Sequence, residues 1–259
     1  MSGLVVLEAG SVATLALDNP PLNILTGELL AQLDAALATL EHADPGEIRA
    51  VVVASRVERA FSVGSNVKEF EDHRGPSGRA RFELEARVAQ RLAGLPMPTI
   101  AAIEGNALGG GLEIALCCDL RVAAEGAQLG LPEVRIAVTP STGGTQRLPR
   151  IVGPARAKEL LFTGRVLDAR GAAGIGLVNE VVPAGEALAR ARAIGEEIAR
   201  RGPLAVREVK VLVDRALDAD LAAGHAAEVD ASVRIFATDD LLEGARAFVE
   251  KREPQYRGR

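Results

Sequence analysis

Two glutamates stand beside turns rich in small residues in the middle of the chain. Glu113 follows three consecutive glycines at 109–111 and lies at the start of an apolar helical pattern. Glu133 follows a Leu-Pro pair, and a further small-residue turn, Ala-Phe-Ser-Val-Gly, occupies 60–64. The first amides of a helix have no partner inside it, so such turns can bind a polarised oxygen while a nearby carboxylate moves a proton. The pattern predicts an acid–base site beside backbone donors.

Each feature also has a purely structural interpretation. The helix dipole alone favours a glutamate in a first turn, and a glycine run lets a helix pack closely on the preceding strand. Glu133 taken alone is typical of a solvated acid. Two acids combined with two amide-rich turns nevertheless favour an active site.

The glycine run matches neither of two common nucleotide-binding motifs. A Walker loop ends in Gly-Lys-Ser/Thr, whereas Gly111 is followed by Leu112 and Glu113. A dinucleotide fingerprint requires a third glycine at the position occupied by Ile114. Nucleotide binding through these motifs is therefore excluded.

Composition limits the partners. A net charge of −5 disfavours nucleic acid, because phosphate binding relies on clustered Lys and Arg. The adjacent Cys117 and Cys118 are poor disulfide partners and favour a reducing, cytoplasmic compartment. His42, His73 and His225 are not spaced as metal ligands, so we expect no metal site. No apolar run approaches the ~20 residues of a membrane span, and the first fifteen residues carry no Lys or Arg, which argues against a leader peptide.

Strand-like and helix-like patterns alternate through the first part of the chain and predict an α/β core. We expect a hairpin at 4–7 and 12–17, strands at 50–54 and 99–104, and helices at 29–40 and 79–95. From residue 185 onward only helical periodicity remains, at 186–201, 204–217, 222–236 and 241–251. These patterns divide the chain into a core at 1–201 and a helical region at 202–259.

The chain resembles the crotonases, the enoyl-CoA hydratase/isomerase superfamily. The resemblance rests on ordered segments over nearly the whole sequence, at 21–23, 60–70, 105–113, 130–133, 143–148 and 248–252. It implies a spiral of ββα units with a C-terminal helical layer that assembles homotrimers, commonly paired into hexamers. It also implies a role in fatty-acid metabolism and β-oxidation.

The family's shared step is stabilisation of an acyl-CoA enolate between two backbone N–H donors, which by resemblance belong here to Val63 and Gly110. Hydratases of the family have two glutamates, matched by Glu113 and Glu133. The resemblance implies that Glu113 activates the water that attacks C3 and that Glu133 protonates C2. CoA is part of the substrate, so no separate cofactor is implied.

The resemblance also implies a binding surface for CoA. It assigns substrate binding to four residues after the first donor, namely Ser65, Asn66, Val67 and Lys68. It adds Phe248 and Lys251 from the C-terminal helix of a neighbouring subunit. Val63, Asn66 and the Pro-Ser-Thr run at 140–142 depart from common family residues, which leaves the length and branching of the acyl chain open.

Other activities remain as alternatives. An enoyl-CoA isomerase or another two-acid crotonase lyase would use the same site. A serine hydrolase on a related spiral fold would need a Ser and a His to converge. His225 is the candidate histidine. A non-catalytic RNA-binding crotonase is disfavoured by the acidic balance.

Overall fold

The computed structural model describes residues 3–259, apart from the side chain of Ser77. The strands are β1 (Val5–Glu8), β2 (Val12–Leu17), β3 (Ile24–Leu25), β4 (Ala50–Ser55), β5 (Ala60–Ser62), β6 (Gly64–Ser65), β7 (Thr99–Ile103), β8 (Asn106–Leu108), β9 (Leu120–Ala124), β10 (Gln128–Gly130), β11 (Val166–Asp168) and β12 (Glu180–Val182). The helices are α1 (Gly27–Glu41), α2 (Arg79–Ala93), α3 (Gly110–Leu116), α4 (Gly144–Val152), α5 (Pro154–Thr163), α6 (Ala169–Gly174), α7 (Ala187–Ala199), α8 (Pro203–Arg215), α9 (Leu221–Phe236) and α10 (Asp239–Glu250). Short 3₁₀ turns span Val67–Glu69, Gly75–Gly78 and Glu133–Ile136.

The strands form one large and two smaller sheets. The six-stranded sheet has the order β1-β2-β4-β7-β9-β12, antiparallel between β1 and β2 and parallel elsewhere. The four-stranded sheet has the order β11-β10-β8-β5, and β3 pairs with β6. Successive units contribute strands alternately to the large and the small sheet, which is the spiral α/β architecture that the resemblance implies.

Alternation along the large sheet separates two apolar clusters. On β4, Val51 and Val53 belong to the main core with α1, α2 and α3, whereas Val52 and Ala54 pack toward α7. Neighbouring side chains of a strand point to opposite faces, so a fully apolar strand requires cover on both sides. The small sheet contributes Phe61, Ala107 and Leu129 to the main core.

The predicted elements agree with those observed. The hairpin, α1, β4, α2 and β7 lie where the periodicity places them, and the last strand, β12, ends at Val182. The expected boundary at 201/202 falls between α7 and α8, although a division into two domains stays a prediction. No helix within residues 3–259 is both long and apolar enough to cross a membrane.

The C-terminal helices differ from α1 in leaving large apolar side chains in solvent. Whereas α1 buries five leucines, α8 to α10 and their connections expose Val209, Val213, Leu217, Leu221, Val229, Val233, Phe236, Leu242, Phe248 and Val249. An apolar surface of this extent is typical of one that is covered by another chain.

Candidate active site

The turns singled out from the sequence meet at one edge of the four-stranded sheet. β5 and β10 run parallel to β8, one on each side of it. Val63, Gly109 and Leu131 directly follow these three strands. Because carboxyl ends of parallel strands share an edge, the 60–64 turn, the glycine run and the Glu133 segment converge.

Glu113 is a buried carboxylate held by two amides. It lies in the first turn of α3 with 2% of its surface exposed. Its Oε1 accepts hydrogen bonds from the Thr142 amide at 2.8 Å and the Gly144 amide at 2.7 Å. Burial raises the pKa of the Glu113 carboxyl, although the two amide bonds oppose that rise by favouring the ionised form. The carboxylate is therefore fixed in orientation.

Glu133 has the opposite environment. It is the first residue of the 3₁₀ turn Glu133–Ile136 that follows β10. Both of its carboxyl oxygens are buried and have no hydrogen-bond partner within the described part of the chain. Burial raises the pKa of Glu133 to about 7, and the nearby charge of Glu113 contributes to the rise. Such a group can donate or accept a proton near neutral pH.

Two glycines give these carboxylates the space that they occupy. A Cβ on Gly144 would lie 3.0 Å from Glu113 Oε1. A Cβ on Gly109, whose φ is +52°, would lie 3.2 Å from Glu133 Oε1. The glycines thus serve to admit acids as well as to shape turns.

The amides beside the glutamates require one correction to the sequence-based assignment. The Gly110 amide lies in the first turn of α3, where it has no partner inside the helix. The Val63 amide instead donates to the Leu22 carbonyl at 3.2 Å, so it is already occupied. Gly64, at φ +87°, brings the next segment close, and the Ser65 nitrogen lies 3.9 Å from where a Cβ on Gly110 would stand. The Ser65 amide is therefore the backbone donor that the structure places beside Gly110, whereas the motif predicted Val63.

Comparison with known proteins identifies the family. Residues 8–259 match the family described as enoyl-CoA hydratase/isomerase. The chain belongs to this family, the crotonases. It is 41% identical over 248 residues to the putative enoyl-CoA hydratase/isomerase YngF of Bacillus subtilis, covering 95% of each chain. It is also 41% identical over 241 residues to the mitochondrial methylglutaconyl-CoA hydratase of Rattus norvegicus, covering 91% of this chain and 76% of the relative.

A solved structure shows the same fold. The crystal structure of an enoyl-CoA hydratase from Bacillus anthracis superimposes with a TM-score of 0.95 at 38% identity, covering 99% of this chain and all of the other. The spiral crotonase fold expected from the resemblance is therefore confirmed.

Both glutamates of this crotonase line a single cavity of about 630 Å³. Its wall includes four of the residues assigned from the sequence to the first donor and to substrate binding, namely Val63, Ser65, Asn66 and Val67. Asn66 caps the turn Val67–Glu69, because its Oδ1 accepts from the Lys68 amide at 3.2 Å. A larger cavity of about 860 Å³ between α2, α4 and α8 is lined by neither glutamate, so its size does not make it the site of acid–base chemistry.

Other predicted binding residues lie away from the cavity in the single chain. Lys68 is exposed and does not contribute to the wall. Phe248 is 86% exposed on α10, and Lys251 terminates that helix with a left-handed conformation. His225, the histidine needed by a serine-hydrolase mechanism, lies exposed on α9 and does not line the cavity. The half-buried His73 does line it, although the sequence indicated no role for this residue.

Sequence reasoning missed a buried charged pair in the same wall, Arg81 and Glu85 on α2. The available signal was position, because Glu85 shares the buried face of α2 with Val88, Ala89 and Leu92. A charged residue in such an apolar register requires a partner or a function. The sequence indicated the 140–142 run only as a departure from the family, and it did not predict that Ser141 contacts Glu85 or that the Thr142 amide contacts Glu113.

Proposed function

We propose that this crotonase is a 2-enoyl-CoA hydratase, which adds water across the C2=C3 bond of an acyl-CoA thioester. One observation carries the proposal. A carboxylate fixed by two amides lines the same cavity as a carboxyl that has no hydrogen-bond partner among the described residues, and the first-turn amide of Gly110 lies beside them. Addition of water needs both a group that takes a proton from water and a group that gives one to carbon.

The two glutamates divide these proton transfers. Glu113, ionised and held by Thr142 and Gly144, accepts a proton as the water oxygen bonds to C3. The C2=C3 electron pair moves toward the thioester, whose oxygen becomes an enolate. Glu133 in its protonated form, which its raised pKa of about 7 favours, then donates a proton to C2 as the enolate collapses. The proton count balances, because one acid gains and the other loses a proton.

The enolate oxygen is held by backbone donors. We assign these to the amides of Gly110 and Ser65, which lie close together where β6 meets the start of α3. Amides are fixed before charge develops, and losing one such donor costs about 10²–10³ in rate. CoA is part of the substrate in this scheme, so no separate cofactor takes part.

The remainder of the substrate requires a second chain in this proposal. The exposed apolar side chains of α8 to α10 support a homotrimer, alone or paired as a hexamer. Phe248 and Lys251 of one subunit would then meet the adenosine end of CoA bound to a neighbour, near Ser65, Asn66, Val67 and Lys68. A cytoplasmic role in the β-oxidation of fatty acids fits this activity.

A panel of CoA thioesters tests the proposal. Purified protein is incubated with saturated, 2-enoyl, 3-enoyl and 3-methylglutaconyl-CoA, and products are separated by chromatography. We expect 3-hydroxyacyl-CoA from the 2-enoyl substrates and no change in the saturated ones. Conversion of 3-enoyl to 2-enoyl-CoA without hydration would replace the proposal with an isomerase. Exclusive hydration of the 3-methylglutaconyl substrate would restrict it to that branched, acidic acyl group.

A further inference from the structure

Glu85 is a further carboxylate in the wall of the cavity, beside Glu69 and the two proposed catalytic glutamates, and the proposed reaction does not use it. It lies inside α2 with 2% of its surface exposed. Burying a charge is costly unless it is paired and hydrogen-bonded. Its contacts therefore show which parts of the molecule it stabilises.

Both oxygens of Glu85 are occupied, by donors from three segments. Arg81 Nε lies 2.8 Å from Oε1, and the Ser65 hydroxyl donates to the same oxygen at 3.3 Å. The Ser141 hydroxyl donates to Oε2 at 2.8 Å. Arg81 also donates to the Leu25 carbonyl, and its side chain is 8% exposed.

Each of these contacts leads to a different part of the site. Ser141 directly precedes Thr142 in the loop whose amides hold Glu113. Ser65 belongs to β6, and the Ser65 amide lies near Gly110. Leu25 pairs with Ser65 in register across β3 and β6. One ion pair thus links the loop that orients the carboxylate to the strand beside the proposed enolate site.

We propose that Glu85, held by Arg81, is a positioning residue that sets the 141–144 loop and β6 at the spacing the reaction requires. The inference rests on the proposed hydratase function and deepens it. Glu85 makes no contact with reacting atoms in this role; it acts through Ser141 on the amides that hold Glu113 and through Ser65 on the neighbouring backbone.

The electrostatics distinguish this role from simple support of the fold. The groups that interact electrostatically with Glu113 are Glu85 from α2, Glu133, the amides of Thr142 and Gly144, and the side chain of Thr142. Cys117, which caps the C-terminus of α3, donates its thiol to the Glu113 carbonyl at 3.2 Å. The charge of Glu85 raises the pKa of Glu113, whereas the loop amides lower it. Loosening the 141–144 loop should therefore raise the pKa of Glu113, whereas removing the charge of Glu85 should lower it.

Two variants separate these effects. Ser141→Ala removes the link to the loop and keeps the ion pair. The paired change Arg81→Met with Glu85→Gln removes both charges, so no buried arginine is left without a partner, and the new side-chain amide retains an oxygen that can accept from Ser141. Thr99→Val is the matched control, because Thr99 also donates its hydroxyl, at 3.0 Å, to a carboxylate paired with a buried lysine, outside this cavity.

Two readouts are measured on the full-length protein. The first is kcat and KM for 2-enoyl-CoA hydration. The second is the titration of Glu113 by NMR with 13C-labelled glutamate carboxyls, assigned from the signal lost in Glu113→Gln. We expect Ser141→Ala to lower kcat about 10- to 100-fold with KM within about twofold, since small misplacements of catalytic groups have such effects. Ser141→Ala should raise the pKa of Glu113, and the paired variant should lower it. Thr99→Val should change neither kcat nor this pKa.

The proposal is overturned if Ser141→Ala matches Thr99→Val in both readouts, or if both site variants shift the titration in the same direction. A wild-type protein that hydrates no 2-enoyl-CoA would refute the proposed function. The NMR titration needs no turnover, so it would still decide whether Glu85 and Ser141 control Glu113.

Discussion

Glu113 and Glu133 line the same cavity, but the segments around them give the two carboxyl groups different environments. The 141–144 loop folds over Glu113 and supplies two amides to one of its oxygens. Within residues 3–259, the turn that carries Glu133 buries both of its oxygens and gives neither one a hydrogen-bond partner. Burial raises the pKa of both groups; two amides from another segment oppose the rise in Glu113, whereas Glu133 has no donor outside its own residue among the described residues. Hydrogen bonding rather than residue type thus separates a base of fixed orientation from an exchangeable acid.

Replacing either carboxyl by an amide should have the largest effect. Glu113→Gln and Glu133→Gln should each lower kcat for crotonyl-CoA hydration by about 10²–10⁴, the usual contribution of a positioned acid or base. The double variant should lose less than the product of the two, because both groups act on one transition state. Steady-state assays measure these values, with the exposed Glu125→Gln as a control of unchanged rate. Near-wild-type hydration in one variant would remove that glutamate from the mechanism.

Crowding each acid through its neighbouring glycine should have the next largest effect. Gly144→Ala places a Cβ 3.0 Å from Glu113 Oε1, and Gly109→Ala places one 3.2 Å from Glu133 Oε1 at a strained φ of +52°. We expect kcat to fall about 10- to 100-fold in each.

The control for backbone strain is Gly126→Ala, which has φ +91° and no atom within 4 Å of the added Cβ. Circular dichroism and thermal melting verify folding of all three variants. If Gly126→Ala loses as much activity as Gly109→Ala, strain rather than displacement of Glu133 explains the loss.

The pH dependence of the rate should identify Glu133 as the acid. Because hydration requires its protonated form, and because its pKa is about 7, kcat/KM should fall roughly tenfold per pH unit above about pH 7. The residual activity of Glu133→Gln should lack this decline. A rate that rises through pH 7 would assign Glu133 as the base in this direction.

The smallest effect concerns stability. The pKa of Glu133 is raised on folding from its ordinary value of 4.5 to about 7, so the folded state binds more protons than the unfolded state between these values. The protonated group's contribution is complete below pH 4.5 and is lost as the pH rises to about 7. Relative to Glu133→Gln, wild type should lose about 2–4 °C in Tm from pH 5 to 7.5, or roughly 1 kcal/mol after allowance for partial exposure. Parallel Tm curves would show that Glu133 titrates alike in both states.

Much of this arrangement could be predicted from the sequence. Apolar periodicity placed α1 and α2 and the four C-terminal helices, because repeats of 3.6 residues are local properties of the chain. The glycine run before Glu113 indicated a helix start with free amides, which α3 shows. The ordered motifs predicted the family.

The misassigned donor shows where such reasoning fails. The motif placed the first donor at Val63, but the Val63 amide donates to the Leu22 carbonyl. The segment that follows, through Gly64 at φ +87°, approaches Gly110. Which amide faces a cavity depends on backbone torsions and on a segment about 40 residues away in sequence, and residue order alone carries neither.

The sequence by itself determined the chemical groups of this protein: two glutamates, glycines that admit them, and helices and strands of the right period. Tertiary structure alone decided the pKa and the orientation of the two carboxyls. Parallel strands brought the three turns to one sheet edge, and a loop about 30 residues after Glu113 supplied its amides. A helix that precedes Glu113 supplied the Glu85 carboxylate that anchors that loop. A carboxyl's pKa and orientation depend on burial and on donors distant in sequence, so both arise only when the chain has folded.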